Sequence, residues 1–151
     1  MPGEASLRQR QYYAHPRNAF WPIMSVLTGV AETASYEERV AGLSARGIAV
    51  WDVLQSCERP GSLDASIREH TIAPNDFSLF FRRHPRLSLI CFNGTKAEQC
   101  FRRYVLPGLV HAGSGLAFER LPSTSPAHAS RSLEEKRAIW HAVLAPVLDV
   151  R

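Results

Sequence analysis

The stretch LSLICFNGTKAEQC, residues 87–100, changes its hydrophobic pattern halfway along and thereby indicates the class of fold. Its first half is a short apolar run that favours a β-strand, and it ends in Asn93–Gly94, a pair typical of turns. Its second half begins with Thr95 and has Glu98 three residues later, which is the spacing of a helix-capping box. The stretch therefore predicts a strand that leads directly into a helix.

Two other apolar runs have the same character: GIAVWDVL at residues 47–54 and LAFERLP at residues 116–122. Each is enriched in β-branched or aromatic residues and is bounded by turn formers, so each predicts a buried strand. Helices are predicted between these runs. Alternating strands and helices are typical of an α/β fold with a parallel sheet.

Three helices outside the opening stretch are predicted from local signals. One covers residues 19–28, with Pro22 tolerated in the first turn and Gly29 after the last residue. Two more begin at capping boxes, Ser35 with Glu38 and Ser132 with Glu135. In the last helix, one apolar face is predicted to hold Ile139, Trp140, Val143, Leu144 and Val147.

Length and charge set the broad class of protein. The chain has 151 residues and a formal net charge of +4, which predicts one globular domain over residues 1–151. No apolar run is long enough to span a bilayer, and residues 1–10 lack the apolar core of a signal peptide, so a cytoplasmic location is expected. Arginine greatly outnumbers lysine, which suits phosphate binding, although codon bias explains it equally well.

The cysteines and histidines carry no metal-binding pattern. Three cysteines without a CxxC pair indicate free thiols, and the histidines show no paired metal spacing. We therefore expect no cofactor and no metal, and a metal-dependent hydrolase is the weakest of the functional hypotheses. The residues concerned are Cys57, Cys91, Cys100, His15, His70, His84, His111, His128 and His141.

Four loops form the predicted site, because ligands of parallel sheets bind beyond the carboxyl ends of the strands. Three of them follow the predicted strands: WDVLQSCER, FNGTKAE and LPSTSPAHAS. The fourth is QYYAHPRNAFWPIM, residues 11–24, which is unusually rich in stacking and hydrogen-bonding groups for a connecting loop.

Each candidate residue in these loops also has a purely structural interpretation. Asn18 precedes a predicted helix and could be its N-cap, Tyr13 could be half-buried packing, and His15 could be a surface imidazole. Asn93 could belong to an ordinary turn. Asp52, at the end of a predicted apolar strand, is harder to explain structurally, because a carboxylate there must be hydrogen-bonded or used.

The combination of PGEASLRQRQYYAHPRNAFW, GIAVWDVL…ERPGSLDASI, ICFNGTKAEQCF and LPSTSPAHA resembles the hypoxanthine-DNA glycosylase family of the uracil-DNA glycosylase superfamily. The resemblance extends over nearly the whole chain in the same order. It implies a three-layer α/β/α domain, monomeric, that binds double-stranded DNA containing deaminated bases. Such enzymes flip the damaged base into a pocket and hydrolyse its glycosidic bond.

The resemblance also implies roles for individual residues. Asn18 of the HPRN motif would position the attacking water, and Asn93 would line the same pocket. Tyr13 would stack on the flipped base, with His15 beside it, and Asp52 would read the base edge. The remaining residues would hold the DNA backbone or fill the vacated stack: Arg17, Ser123, Thr124, Ser125 and His128, with Ala127 as an alternative wedge.

The chain departs from the superfamily pattern at two side chains and at its start. Met1 occupies a slot where most branches carry a catalytic polar residue, and the hypoxanthine branch shares this apolar slot. Leu121 replaces the histidine of uracil-specific relatives, which predicts that hypoxanthine is preferred to uracil. Relatives have a central strand upstream of the MPGEASL segment. Either the start codon is assigned too late, or that strand is missing here and the sheet has three strands.

Two functional hypotheses from different classes follow. The first is a monofunctional glycosylase of base excision repair, nucleoid-associated when it acts on DNA, that removes hypoxanthine and in mismatches also uracil. The resemblance assigns no lysine to the pocket, so strand cleavage through a Schiff base is not expected. The alternative is a relative that binds damaged DNA without breaking the bond.

Overall fold

The computed structural model describes residues 2–61, 63–109 and 115–148. These residues group into two compact units, which we call the helical unit (residues 2–51 and 122–148) and the sheet unit (residues 52–121). Met1 lies outside the described residues, so the slot that it was expected to occupy has no structural description.

The described residues contain six α-helices and four β-strands. The helices are α1 (Glu4–Gln9), α2 (Phe20–Thr28), α3 (Tyr36–Ala45), α4 (Phe77–Arg83), α5 (Thr95–Cys100) and α6 (Leu133–Leu148). The strands are β1 (Leu54–Ser56), β2 (Ala73–Pro74), β3 (Leu89–Asn93) and β4 (Ala117–Leu121). Short 3₁₀ and π turns connect some of them, and the π turn Phe101–Val105 directly continues α5.

The helical unit is built around α2, which buries five apolar side chains. The predicted helix over residues 19–28 is confirmed, with its first residue at Phe20. Pro22 lies in the first turn, where its missing N–H costs nothing, and Gly29 ends the helix with a φ of 75°, a conformation that glycine adopts without strain. The ring of Phe20 meets that of Trp140 on α6 edge to face, with centroids 6.1 Å apart.

Both capping boxes of this unit are confirmed. Ser35 Oγ accepts the Glu38 amide at 3.2 Å, and the Glu38 carboxylate accepts the Ser35 amide at 2.8 Å. Ser132 and Glu135 make the same reciprocal pair at the start of α6, at 3.2 and 2.7 Å. The predicted apolar face of α6 is buried most deeply at Trp140.

The sheet unit contains the predicted parallel pair. β3 and β4 run parallel, with Leu89 beside Ala117 and Asn93 beside Leu121, so both carboxyl ends lie at one edge. An aromatic core with Phe77, Phe92 and Phe101 packs against this pair. The α/β fold predicted from the sequence is therefore confirmed.

Three local predictions in this unit and at its border are wrong. Residues 47–53 form no strand, because an apolar run becomes a strand only where a neighbouring strand completes its backbone hydrogen bonds. β1 begins at Leu54 and pairs with β2 in the antiparallel direction, not the predicted parallel one. Asp52 therefore does not end a strand. Thr95 is no N-cap: Gly94, with a φ of 95°, precedes the helix, Thr95 is its first residue, and Glu98 pairs with Arg102 instead.

Candidate functional site

The loop of residues 10–19 is held in place within the helical unit by hydrogen bonds from its backbone groups to neighbouring side chains. Ser6, which is buried, accepts the amide of Ala14 on its Oγ at 3.1 Å. The amide of Tyr12 donates to the hydroxyl of Tyr36 at 3.1 Å, and the Tyr12 carbonyl accepts from Trp21 Nε1 at 3.0 Å. Because both backbone groups of Tyr12 are held, the position of the following residue is determined.

That following residue, Tyr13, has a left-handed backbone conformation with a φ of 56°. A non-glycine residue there costs on the order of 1 kcal/mol, which the fixed neighbours must offset. Its ring stacks on Phe20 with centroids 4.0 Å apart and an interplanar angle of 22°. Phe20 covers one face of the tyrosine ring, and Tyr13 is half-buried. The stack on Phe20 therefore fixes the orientation of the Tyr13 ring.

Asn18 is held against the start of α2. Its side-chain Oδ1 accepts the backbone amide of Phe20 at 3.0 Å, and its backbone amide donates to the carbonyl of His15 at 2.9 Å. The N-cap position is Ala19, without a side-chain cap bond, so the N-cap interpretation of Asn18 is wrong. Asn18 instead makes a local contact to the backbone amide two residues further on. Within the described residues, Nδ2 of Asn18 makes no hydrogen bond, and the second lone pair of Oδ1 remains available.

His15 and Arg17 complete the turn before Asn18. Nδ1 of His15 accepts the Arg17 amide at 3.1 Å, so the proton of the neutral imidazole lies on Nε2. The Arg17 side chain is exposed and takes part in no ion pair among the described residues. A free guanidinium beside the Asn18 turn is suited to a phosphate oxygen.

The segment after β4, residues 122–130 (PSTSPAHAS), is named here the serine loop. Three of its carbonyls accept hydrogen bonds from the rest of the helical unit: Pro122 from Trp140 Nε1 at 3.0 Å, Thr124 from the Ala19 amide at 2.9 Å, and His128 from Lys136 Nζ at 2.8 Å. The Ala19 contact places this loop beside the turn that carries Asn18.

Serine hydroxyls fold the loop internally. Ser123 Oγ accepts the Ser125 amide and Ser125 Oγ accepts the Ala127 amide, each at 3.2 Å. Thr124 is 1% exposed and packs inward, whereas Ser123 and Ser125 are half-buried. Of the three residues predicted to hold the DNA backbone from this loop, only the two serines are therefore accessible. His128 is half-buried, and its Nε2 lies 3.3 Å from Ser130 Oγ.

The sheet unit holds the other two predicted site residues. Asn93 is the last residue of β3, followed by Gly94, whose amide donates to the Leu121 carbonyl at 3.0 Å. Leu121 is 2% exposed and belongs to the core. Asp52 is half-buried, and its carbonyl accepts from Asn75 Nδ2 at 2.7 Å.

Two contributors to the site were missed in the sequence. Phe20 was predicted only as part of the helix over residues 19–28, yet its ring stacks on Tyr13 and its amide donates to Asn18. Lys136 is buried, and burial lowers the pKa of its ammonium. The available signal was its spacing: Lys136 stands four residues before Trp140, on the apolar stripe of α6, where a lysine is unexpected.

The described residues contain neither a cluster of metal-ligating side chains nor a membrane-spanning helix. No three histidine, cysteine or acidic side chains there cluster as a metal site. No helix in the same part of the chain combines the length and apolarity of a membrane span.

Comparison with known proteins shows related sequences and a related structure. A model of the uracil DNA glycosylase superfamily matches residues 1–144. A Methanosarcina acetivorans protein named hypoxanthine DNA glycosylase is 35% identical over 147 residues, which is 95% of this chain and 85% of that protein. A Methanosarcina barkeri protein of the same name is 36% identical over 100 residues, 66% of this chain and 62% of the relative.

A solved structure is similar as well. The solution NMR structure of a proposed uracil DNA glycosylase from Methanosarcina acetivorans has a TM-score of 0.76 against this chain, with 34% sequence identity. The similarity covers 98% of this chain and 86% of the other.

Proposed function

Because this chain belongs to the uracil DNA glycosylase superfamily, we propose that it is a monofunctional DNA glycosylase of base excision repair. The proposed substrate is double-stranded DNA with a deaminated base, hypoxanthine before uracil. The similar proteins named hypoxanthine DNA glycosylase support this choice of base. We further propose that the protein acts as a monomer, in the cytoplasm, without a cofactor.

The observation that carries the proposal is that Phe20 contacts both Tyr13 and Asn18. Its ring stacks on Tyr13 and its amide donates to Asn18 Oδ1, so one residue orients both an aromatic face and a polar amide. A glycosylase needs these two groups together, since the flipped base must be stacked while a water is held beside the sugar.

In the proposed reaction the target nucleotide leaves the stack and its base stacks on the ring of Tyr13. The bond between C1′ and the base nitrogen breaks, its electron pair goes to the base, and the sugar acquires oxocarbenium character. A water oxygen then bonds to C1′, and the water proton compensates the charge of the released base. The products are the free base and an abasic sugar.

Asn18 contributes orientation and electrostatics to this step. An amide is too weakly basic to take a proton at neutral pH, but the remaining lone pair of Oδ1 can accept a hydrogen bond from the water. The amide of Phe20 keeps the carbonyl fixed while charge develops, so little reorganisation is required. This suits a transition state in which the glycosidic bond is already largely broken.

The other assigned residues bind the substrate. We assign the reading of the base to Asp52 and Asn93, as the family resemblance implies. Arg17 and the hydroxyls of Ser123 and Ser125 are assigned to phosphate oxygens. The wedge is assigned to His128 of the serine loop.

The test is a single-turnover base-release assay on matched duplexes that contain inosine or deoxyuridine at one position. Alkali cleavage of the abasic product reports release. We expect faster release from inosine, because Leu121 supplies no hydrogen-bond donor for a uracil oxygen. Faster uracil release would contradict the base preference. Tight inosine-specific binding with no release from any duplex would favour the alternative, a damaged-DNA-binding protein that breaks no bond.

A further inference from the structure

Lys136 is a buried cation that the proposed reaction does not use. Its side chain is 5% exposed, and the carbonyl of His128 is the hydrogen-bond acceptor of its ammonium in the described part of the chain, at 2.8 Å. Removing an ammonium from water is costly unless the group is compensated. An apolar side chain would fill this position on the stripe of α6 at lower cost, so the charge points to a role other than core stability.

Trp140 and Lys136 together connect α6 to the two ends of the serine loop. Trp140, one turn further along the helix, donates to the carbonyl of Pro122, where the loop begins. Lys136 donates to the carbonyl of His128, near the end of the loop. The third anchor, the Ala19 amide on Thr124, again holds only the first half.

The second half of the loop has little other support. The amide of Ala127 bonds to Ser125 Oγ and that of His128 to the Ser125 carbonyl at 3.0 Å, so both contacts stay within the loop. Such local bonds define the shape of a turn but not its place against the protein. The Lys136 bond supplies that placement for His128.

We propose that Lys136 is a positioning residue: its ammonium holds the His128 end of the serine loop in the shape that meets duplex DNA. The inference rests on the proposed function, since it assigns the loop to the DNA backbone and His128 to the vacated stack. Lys136 itself touches no reacting atom.

Replacing Lys136 by methionine separates this role from a merely structural one. Methionine keeps most of the length and removes the buried charge, so the melting temperature is expected to stay or rise. The loop, in contrast, loses its anchor. Amide hydrogen exchange in peptides over residues 122–131 is expected to become faster, with exchange elsewhere unchanged.

Activity supplies the second readout. Release of hypoxanthine from a fully paired duplex is expected to fall about tenfold or more in Lys136→Met, the loss that corresponds to one hydrogen bond from a charged donor. Release from a duplex with the inosine in a small bubble is expected to change far less, because no stacked base must be expelled and replaced. A purely structural lysine would affect both substrates equally.

The matched control is Lys96→Met, which removes the other lysine of the chain. Lys96 lies on α5 and pairs with Glu69, so this variant loses the same charge without touching the serine loop. It is expected to retain the wild-type ratio of paired to bubble rates. Lys136→Arg, which keeps a charged donor, is expected to retain loop protection. Lys136→Gln serves as the neutral variant if the methionine protein does not fold.

Failure of this inference and failure of the proposed function have different signatures. Unchanged exchange in the serine loop, or equal losses on paired and bubble substrates, would overturn the role of Lys136. A wild-type protein that releases no base would overturn the glycosylase proposal. In that case, Lys136→Met is compared with Lys96→Met by amide hydrogen exchange in the serine loop and by affinity for undamaged duplex DNA.

Discussion

Replacing Asn18 by alanine and by serine distinguishes the structural role of its side chain from the proposed catalytic one. The structural role is visible in the 3.0 Å bond from the Phe20 amide to Oδ1. Alanine removes this acceptor, which is expected to cost about 1 kcal/mol of unfolding free energy, the usual contribution of one hydrogen bond. A serine hydroxyl makes the same kind of local contact more weakly and is expected to keep part of that stability.

The catalytic role predicts a different order. The serine oxygen is one bond closer to the backbone than Oδ1, so it cannot hold the Phe20 amide and also reach the same water. Both variants are therefore expected to lower the single-turnover rate about 100-fold, which corresponds to roughly 2.7 kcal/mol of activation free energy. That loss exceeds the contribution of the Phe20 bond to stability, so rate and stability should separate in Asn18→Ser.

The assay measures hypoxanthine release at saturating enzyme, together with urea unfolding and duplex affinity. Asp76→Ala is the matched control, because Asp76 caps α4 through the Leu79 amide at 2.8 Å and lies outside the proposed machinery. It is expected to lose similar stability and keep the wild-type rate. An Asn18→Ser protein that folds and releases base at the wild-type rate would refute the catalytic assignment and direct attention to Asp52 and Asn93.

Three further predictions address charge, packing and thiol chemistry. Arg17→Gln is expected to reduce the slope of log affinity against log salt by about 0.9, one phosphate contact, and an unchanged slope would refute that contact. Leu121→Ala is expected to lower the unfolding free energy in urea by about 3 kcal/mol, because the side chain is buried; a negligible loss would contradict its place in the core. Burial, with a smaller contribution from Glu119, raises the pKa of Cys91 to about 11. The Cys91 thiol therefore stays protonated at pH 8, and its alkylation is expected to be about a hundredfold slower in native than in urea-unfolded protein, as followed by mass spectrometry; equal rates would contradict the shift.

Local sequence patterns predicted correctly the features that depend only on residues close together in the chain. The capping boxes at Ser35 and Ser132 form as predicted, because each needs only two side chains three residues apart. The strand that ends at Asn93 and the turn at Gly94 were also readable, since an apolar run and a glycine with positive φ are properties of the segment itself. The motif around Asn18 likewise placed a polar side chain close to the start of α2.

Tertiary structure decided the features that depend on a partner distant in the chain. Residues 47–54 have the composition of a strand, but only Leu54 finds one to pair with. Nothing in the sequence shows that Phe20 would hold both Tyr13 and Asn18, or that the Lys136 ammonium would be buried against the carbonyl of His128. A hydrophobic pattern states that a side chain will be buried; which group it meets there is determined by how the elements pack, and that information is not local.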